Sequence, residues 1–309
     1  MVADPWLVLG AAAIEAAVGY PRRLHAVVPH PVAWIGGALR VLDRTLNRGG
    51  DLLRRLAGVA TVLIVAGTAG AVGFALDRIL TGWAFILAAL IGSLGLAARS
   101  LHDHVAAVRR ALDTDDLDAA RAAVGMIVGR DIADLDREGV AAAALESLAE
   151  SFNDGVVAPL FWFLAAGLAG LFAYKAVNTA DSIIGHREEP YRCFGWAAAR
   201  VDDLMNLVPA RLAGAVIALV AGRGWATMFR DASRHASPNA GWPEAAMAGA
   251  LGVKLGGPAR YDGVLHPRPT FGDGAPPSPL DLIRGLGLYL RACGLLAAGL
   301  ALGGFAWPR

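Results

Sequence analysis

Apolar residues run from Leu56 to Leu76 and from Ile79 to Ala98 with no charge inside either stretch. Crossing about 30 Å of hydrocarbon takes roughly 20 helical residues at 1.5 Å each, so both are long enough to span a bilayer. Only Asp77 and Arg78 separate them, which predicts a tight antiparallel hairpin that returns the chain to the face it left. Residues 21–55 and 99–155 then share one face. The first of these loops carries Arg22, Arg23, Arg40, Arg44, Arg48, Arg54 and Arg55 near the segment ends, and the positive-inside rule makes that face cytoplasmic. A shorter apolar run over 6–18 has no basic stretch before it and reads as a retained membrane segment that starts outside.

Three further apolar stretches are interrupted. Pro159, Gly167 and Gly170 fall in 156–174, Pro209 and Arg211 in 204–221, and Arg291 in 286–307. A charge at depth is costly unless it is paired or faces protein, and the bland reading of Arg291 is a side chain that snorkels to the interface. Between residues 100 and 150 apolar positions recur at helical spacing among charges: Leu101, Val105, Val108, Leu112, then Leu117, Ala120, Val124, Ile127. This predicts amphipathic cytoplasmic helices, with Asp115, Asp116 and Asp118 at a solvated turn that starts the second. The six prolines of 257–281 predict an extended loop.

Composition agrees. Of 309 residues 56% are hydrophobic and 18% charged, which excludes disorder and argues against a soluble enzyme. The formal net charge of +1 leaves no excess to grip a phosphate backbone, so no nucleic-acid partner is expected. Cys193 and Cys293 stand apart and indicate neither a disulfide framework nor a thiolate metal site. The pattern as a whole predicts an all-α, polytopic helical membrane protein forming a single domain, 1–309. Its spans fall at about 6–18, 56–76, 79–98 and 286–307, with broken or re-entrant helices at 156–174 and 204–221 around a polar cavity.

Polar groups cluster three times. Glu146 and Glu150 lie four apart in ALESLAESFNDGVVAPLFW, followed by Asn153 and Asp154, so a helix puts both glutamates on one face. There they are either two solvated carboxylates or a pair that holds a cation or a substrate ammonium between them. Lys175, Asn178, Asp181, His186 and Arg187 follow in YKAVNTADSIIGHR. The third set is Asp202, Asp203 and Asn206, flanked by Arg200 and Arg211. Its oxygen ligands suit magnesium held through one or two carboxylates plus substrate phosphates, and the arginines suit phosphate oxygens. Downstream, Arg234, His235, Ser237, Asn239, Trp242, Glu244 and Lys254 surround a tight turn, with Trp242 offering a flat face to a conjugated ligand. His30, His102 and His104 lack the spacing of zinc ligands, and neither GxxxxGK[ST] nor GxGxxG occurs.

These blocks, in this order, resemble the membrane-bound adenosylcobinamide-phosphate synthase family of cobalamin biosynthesis (CobD/CbiB). The text that carries the resemblance is GYPRRLHAVVPHPVAWIG, ESLAESFNDGVVAPLFW, YKAVNTADSIIGHR, FGWAAARVDDLMNLVPARL and HASPNAGWPEAAMAGALGVKLGGPARYDG, together most of the chain. Ser151 stands where the family usually has Asn after the second Glu, and Tyr20 where an acidic residue commonly precedes Pro21.

The resemblance implies ATP-dependent amide formation between adenosylcobyric acid and aminopropanol or its phosphate. The enzyme would sit in the cell inner membrane with its site facing the cytoplasm, use ATP and Mg2+, and act as a homo-oligomer or with other late cobalamin-pathway proteins. A carboxylate must be activated by phosphorylation and an ammonium deprotonated before the two condense. Under that reading Glu146, Glu150, Asp154 and Asp181 are the catalytic candidates. Asp202, Asp203 and Asn206 are the metal candidates. Asn178, Arg187, Arg200, Arg211, Ser237, Asn239, Trp242 and Glu244 are candidates for substrate or phosphate binding. If 156–174 crossed the membrane fully, the Glu146 and Asn178 clusters would face opposite sides, so the reading expects that stretch to be broken, bringing the clusters to one cytoplasm-facing cavity. Two rivals use the same residues: an intramembrane prenyltransferase of the UbiA type, with paired Asp-rich magnesium motifs, and a non-enzymatic corrinoid-binding sensor or transport component.

Overall fold

The computed structural model of the chain describes residues 2–21, 27 and 29–308. Arg22 and Arg23, two of the arginines behind the expected orientation, lie outside the described residues. In chain order the helices are α1 (Pro5–Val18), α2 (Pro31–Leu46), α3 (Asp51–Ile79), α4 (Phe85–Ser93), α5 (Ala98–Asp113), α6 (Leu117–Gly125) and α7 (Arg137–Phe152). A π turn at Asn153–Val157 leads into α8 (Ala158–Ile184), then α9 (Tyr191–Phe194), α10 (Trp196–Met205), α11 (Leu207–Ala221), α12 (Trp225–Asp231), α13 (Gly241–Leu251) and α14 (Pro279–Ala306). Asp51–Ile79, Phe85–Asp113, Arg137–Ile184 and Pro279–Ala306 are long and apolar enough to cross a membrane, and α10 with α11 makes a fifth if the pair is one broken span. The chain is an all-α, polytopic helical membrane protein.

Its internal contacts form two compact units, where the sequence reads as one domain. The first comprises Met1–Ala97, Ala158–Asn206 and Leu300–Arg309; the second comprises Ala98–Val157 and Leu207–Gly299. In the first unit, Asp4 opens α1 by accepting from the Trp6 N–H at 2.9 Å, with Pro5 at the first helical position. Val62 and Val65 of α3 bury against Ala176, Val177, Ala180 and Ile184 of α8, together with Phe194, Ala197 and Ala198. Small residues let the backbones meet: a Cβ on Gly58 would stand 1.9 Å from the Phe194 carbonyl oxygen, and one on Gly73 2.4 Å from that of Leu168.

The expected interruption of 156–174 falls at Ala166 and Gly167, where α8 leaves helical geometry and Gly167 takes φ +68°. Breaking a helix frees backbone groups that have no water to bond in a membrane. Asp77 of α3 answers half of this, accepting from the N–H groups of Leu168 at 3.1 Å and Ala169 at 3.3 Å. The Leu164 carbonyl on the other side of the break accepts from the Ala3 N–H at 2.9 Å. The hairpin turn therefore does not lie at Asp77 and Arg78. The helix runs through both, with Arg78 over the Phe74 ring at 5.2 Å, and the chain turns at 80–84. We expect Asp77→Ala to lower the thermal unfolding midpoint in detergent, at a cost of about 1–3 kcal/mol for the orphaned N–H groups. Asp77→Asn, which keeps one acceptor oxygen, should lose less, and an unchanged midpoint in Asp77→Ala would refute the capping role.

The second unit follows the periodicity. Leu101, Val105, Val108 and Leu112 of α5 are buried, as are Ala120 and Val124 of α6. Asp116 caps α6 by accepting from the Ala119 N–H at 2.9 Å. The proline-rich loop departs from expectation, because it contains two antiparallel pairs. Leu255–Gly256 pairs with Thr270–Phe271, and Ala259–Tyr261 with Val264–His266. The second hairpin turns on Asp262 and Gly263, both at positive φ (49° and 78°), which suits a two-residue turn between twisted strands. Ser278 then donates both its N–H and its hydroxyl to Asp281, so α14 starts at Pro279 and not at residue 286. Arg291 is consequently deep within that helix.

Candidate functional site

In the second unit Glu146 and Glu150 share a face of α7, as their spacing requires, and both line a cavity of about 150 Å3 with Arg130, Ser147, Tyr261 and Arg268. The two glutamates differ in state. Glu146 is buried and fully engaged: it accepts from Arg130, from Arg268 Nη1 at 3.3 Å and from the Gly256 N–H at 2.8 Å. Glu150 is exposed to the cavity.

Glu244 is the more unusual carboxylate. Carried on α13, it is 1% exposed, and its Oε2 takes no hydrogen bond among the described residues. Its nearest basic neighbours are Arg268 Nη2 at 3.9 Å and His235 Nε2 at 3.7 Å. Burial, and then the Glu150 and Glu146 charges, push its carboxyl well above the ordinary glutamate range, against the pull of Arg268 and Arg130. Burial opposes the charge on Arg268, but Glu146 and Glu244 outweigh it and keep the guanidinium firmly protonated. His235 Nδ1 accepts from the Ser237 N–H at 2.9 Å, which places the proton of the neutral ring on Nε2, toward Glu244.

The Ser237 hydroxyl accepts from the N–H of Asn239 at 3.2 Å and of Ala240 at 3.4 Å, forming the turn expected there. Arg211 lies with its guanidinium 4.7 Å from the Trp242 ring centre and donates to the Asn239 carbonyl Oδ1 at 3.4 Å. One face of Trp242 is thus covered by Arg211, which bears on the idea of an open stacking surface. Asp154 lies in the π turn and accepts from Asn153 Nδ2 at 2.7 Å.

The first unit gathers the other expected residues. Asp202 accepts from Asn206 Nδ2 at 3.0 Å and from Asn178 Nδ2 at 3.5 Å, and the Tyr174 hydroxyl donates to Asn206 Oδ1 at 3.1 Å. Lys175 Nζ donates to Asn178 Oδ1 at 3.4 Å. Arg200 pairs with Asp203 at 3.1 Å, and the charge of Arg187 also acts on that carboxylate. Asp181 is half-buried one helical turn after Asn178. Among the described residues no group of three or more His, Cys, Asp or Glu could hold a metal ion. Asp202 and Asp203, two carboxylates among amides and arginines, suit a cation that arrives on phosphate oxygens rather than a resident one.

Arg130 and Arg268 escape sequence reasoning, since they stand 16 and 122 residues from Glu146 in chain order. The available signal is an arginine held between Pro267 and Pro269.

Known proteins resemble most of the chain. The family profile described as CobD/Cbib protein matches residues 8–289. A protein of Rhodobacter capsulatus named cobalamin biosynthesis protein CobD is 52% identical over 285 residues, 90% of each chain. Proteins of the same name from Sinorhizobium fredii (46% over 303 residues, 93% of each) and Geobacter metallireducens (47% over 291 residues, 89% of this chain and 88% of that one) are also similar. No solved structure matches.

Proposed function

Because this chain belongs to the CobD/CbiB family, whose members carry the name of cobalamin biosynthesis proteins, we propose that it is an adenosylcobinamide-phosphate synthase. The reaction is amide formation between the carboxylate of adenosylcobyric acid and the amine of (R)-1-aminopropan-2-ol or its phosphate. The enzyme works in the cell inner membrane with its site facing the cytoplasm, where ATP is available. ATP with Mg2+ supplies the phosphoryl group that turns the corrin carboxylate into an acyl phosphate.

The observation that carries this reading is the cavity lined by Glu150 and Arg268, the latter also facing the buried Glu244. An ammonium needs a carboxylate it can reach, and then a base to take its proton. Glu146 is saturated by Arg130, Arg268 and the Gly256 N–H, so its part is to position those two guanidiniums. Glu150 attracts the ammonium. The carboxylate of Glu150, on the cavity wall, then takes a proton from the nitrogen, and the freed lone pair attacks the acyl carbon as phosphate leaves, while the buried Glu244 steadies Arg268 from behind. Asp202 and Asp203 would hold a phosphate-borne Mg2+ and Arg187 and Arg200 would take phosphate oxygens, while Asn178 and Asn206 orient Asp202. The family match favours neither the prenyltransferase nor the sensor.

Incubating the detergent-purified protein with adenosylcobyric acid, Mg-ATP and each amine, followed by mass spectrometry, should yield the amide and consume ATP only when both substrates are present. Asp202→Asn should lower the rate about 10²-fold or more while leaving corrinoid binding intact. Corrinoid binding without ATP turnover would replace the synthase with the sensor reading.

A further inference from the structure

A second cavity, of about 610 Å3, opens in the second unit between the C-terminal ends of α11 and α13 and the side of α14. Its wall carries three arginines, Arg223, Arg284 and Arg291, with no carboxylate among the lining residues. Each guanidinium is oriented by the backbone. Arg223 Nε donates to the Ala250 carbonyl at 2.8 Å, Arg284 Nη2 to that of Leu251 at 2.8 Å, and Arg291 Nε to that of Gly287 at 3.3 Å. The Ala250 and Leu251 carbonyls belong to the last turn of α13, where the helix dipole is negative, so two arginines are fixed by the backbone itself. One acid answers three cations: Asp281 pairs with Arg284 at 2.6 Å. The Nη groups of Arg223 and Arg291 donate to no acceptor among the described residues.

Like charges are normally spread apart on a surface, and three fixed guanidiniums around one hollow repel one another unless an anion sits between them. Fork-shaped donors match phosphate oxygens bidentately. The setting narrows the source. α14 is long and apolar enough to span a membrane, and it exposes Leu280, Ile283 and Leu290 in the same stretch that carries Arg284 and Arg291. Trp225, partly exposed, and Phe229 stand a few residues after Arg223, as aromatic residues do at the headgroup level. Basic hollows between membrane helices are suited to anionic headgroups. We propose that Arg223, Arg284 and Arg291 form a binding site for a phosphate-bearing anion, the headgroup of an anionic phospholipid being the source that fits its place along a membrane helix.

The test is a thermal-shift titration of the full-length protein in neutral detergent with phosphatidylglycerol, phosphatidylcholine, or inorganic pyrophosphate. Phosphatidylglycerol should raise the unfolding midpoint at concentrations where phosphatidylcholine does nothing. Arg223→Gln and Arg291→Gln should each weaken the half-saturating concentration about fivefold, while Arg284, tied to Asp281 and Leu251, is left in place. Protection by pyrophosphate that is equally sensitive to both substitutions would support the site and assign it to a soluble phosphate. Protection by neither, or protection the two variants share with wild type, would overturn it. Native mass spectrometry of wild-type protein keeps the question decidable if a variant fails to fold: no preference for retaining phosphatidylglycerol over phosphatidylcholine, and no pyrophosphate adduct, would likewise overturn the site.

Discussion

Arg268→Met is expected to lower the unfolding midpoint of the purified protein sharply, by the equivalent of about 3–5 kcal/mol, because it leaves two buried carboxylates facing one another. Arg268 lies within 3.3 Å of Glu146 and 3.9 Å of Glu244, which are 3% and 1% exposed. The attraction in such a cluster does little more than offset the cost of taking the charges out of water, so removing one member is worse than never having built it. A double variant, Glu146→Gln with Arg268→Met, should recover part of the loss, since Glu244 loses a like charge, with the recovery limited by Arg130, which loses its carboxylate partner. A coupling of at least about 1 kcal/mol between the two substitutions is the expected measurement. Strict additivity would show that Arg268 serves the fold by packing alone. Arg268→Lys should fall between wild type and Met, a single ammonium being unable to reach both carboxylates as a planar fork does.

Glu244→Gln is expected to act in opposite directions on rate and stability. Under the proposed reaction, condensation should fall, because Glu244 helps hold the Arg268 guanidinium that lines the cavity. The midpoint at neutral pH should rise. A glutamate whose proton affinity is raised by folding binds that proton more tightly in the native state, so native stability declines as pH climbs from the ordinary glutamate value of about 4.3 toward the raised one. Glutamine has no such term. The stability difference between variant and wild type should therefore be absent below pH about 4 and grow as pH rises through the range above it. A variant less stable than wild type at neutral pH, by an amount that does not change with pH, would mean that Oε2 of Glu244 is satisfied rather than stranded.

Local patterns carried far in the sequence and distant ones did not. The amphipathic face of α5 and the N-terminal cap at Asp116 were legible because both depend on residues within one or two turns. The meeting of Asn178 with Asp202 and Asn206 was legible as two polar sets on helices with little other polarity. Asp77 misled for a physical reason: a lone carboxylate after a long apolar run reads as a loop because its cost in a helix is high, and the N–H groups that lower that cost lie 91 and 92 residues later. Glu146 misled likewise. Its spacing to Glu150 suggested two equivalent acids, while the arginines that saturate one of them arrive from separate loops. The hairpin that turns on Asp262 and Gly263 was missed, because the six prolines of 257–281 point to an extended loop.

The two units are threaded through each other along the chain, and this bears on how the protein is made. The first unit takes its last residues from Leu300 onward, where Phe305 meets Trp6 edge to face at 4.9 Å. A nascent chain that has exposed α1, α3 and α8 still lacks one wall of that unit, and the second lacks its arginine-bearing helix. Neither can finish folding while the ribosome is still adding residues before 300, although the close approaches of Gly58 to Phe194 and of Gly73 to Leu168 can form earlier. A premature stop anywhere in α14 would therefore spoil both units at once.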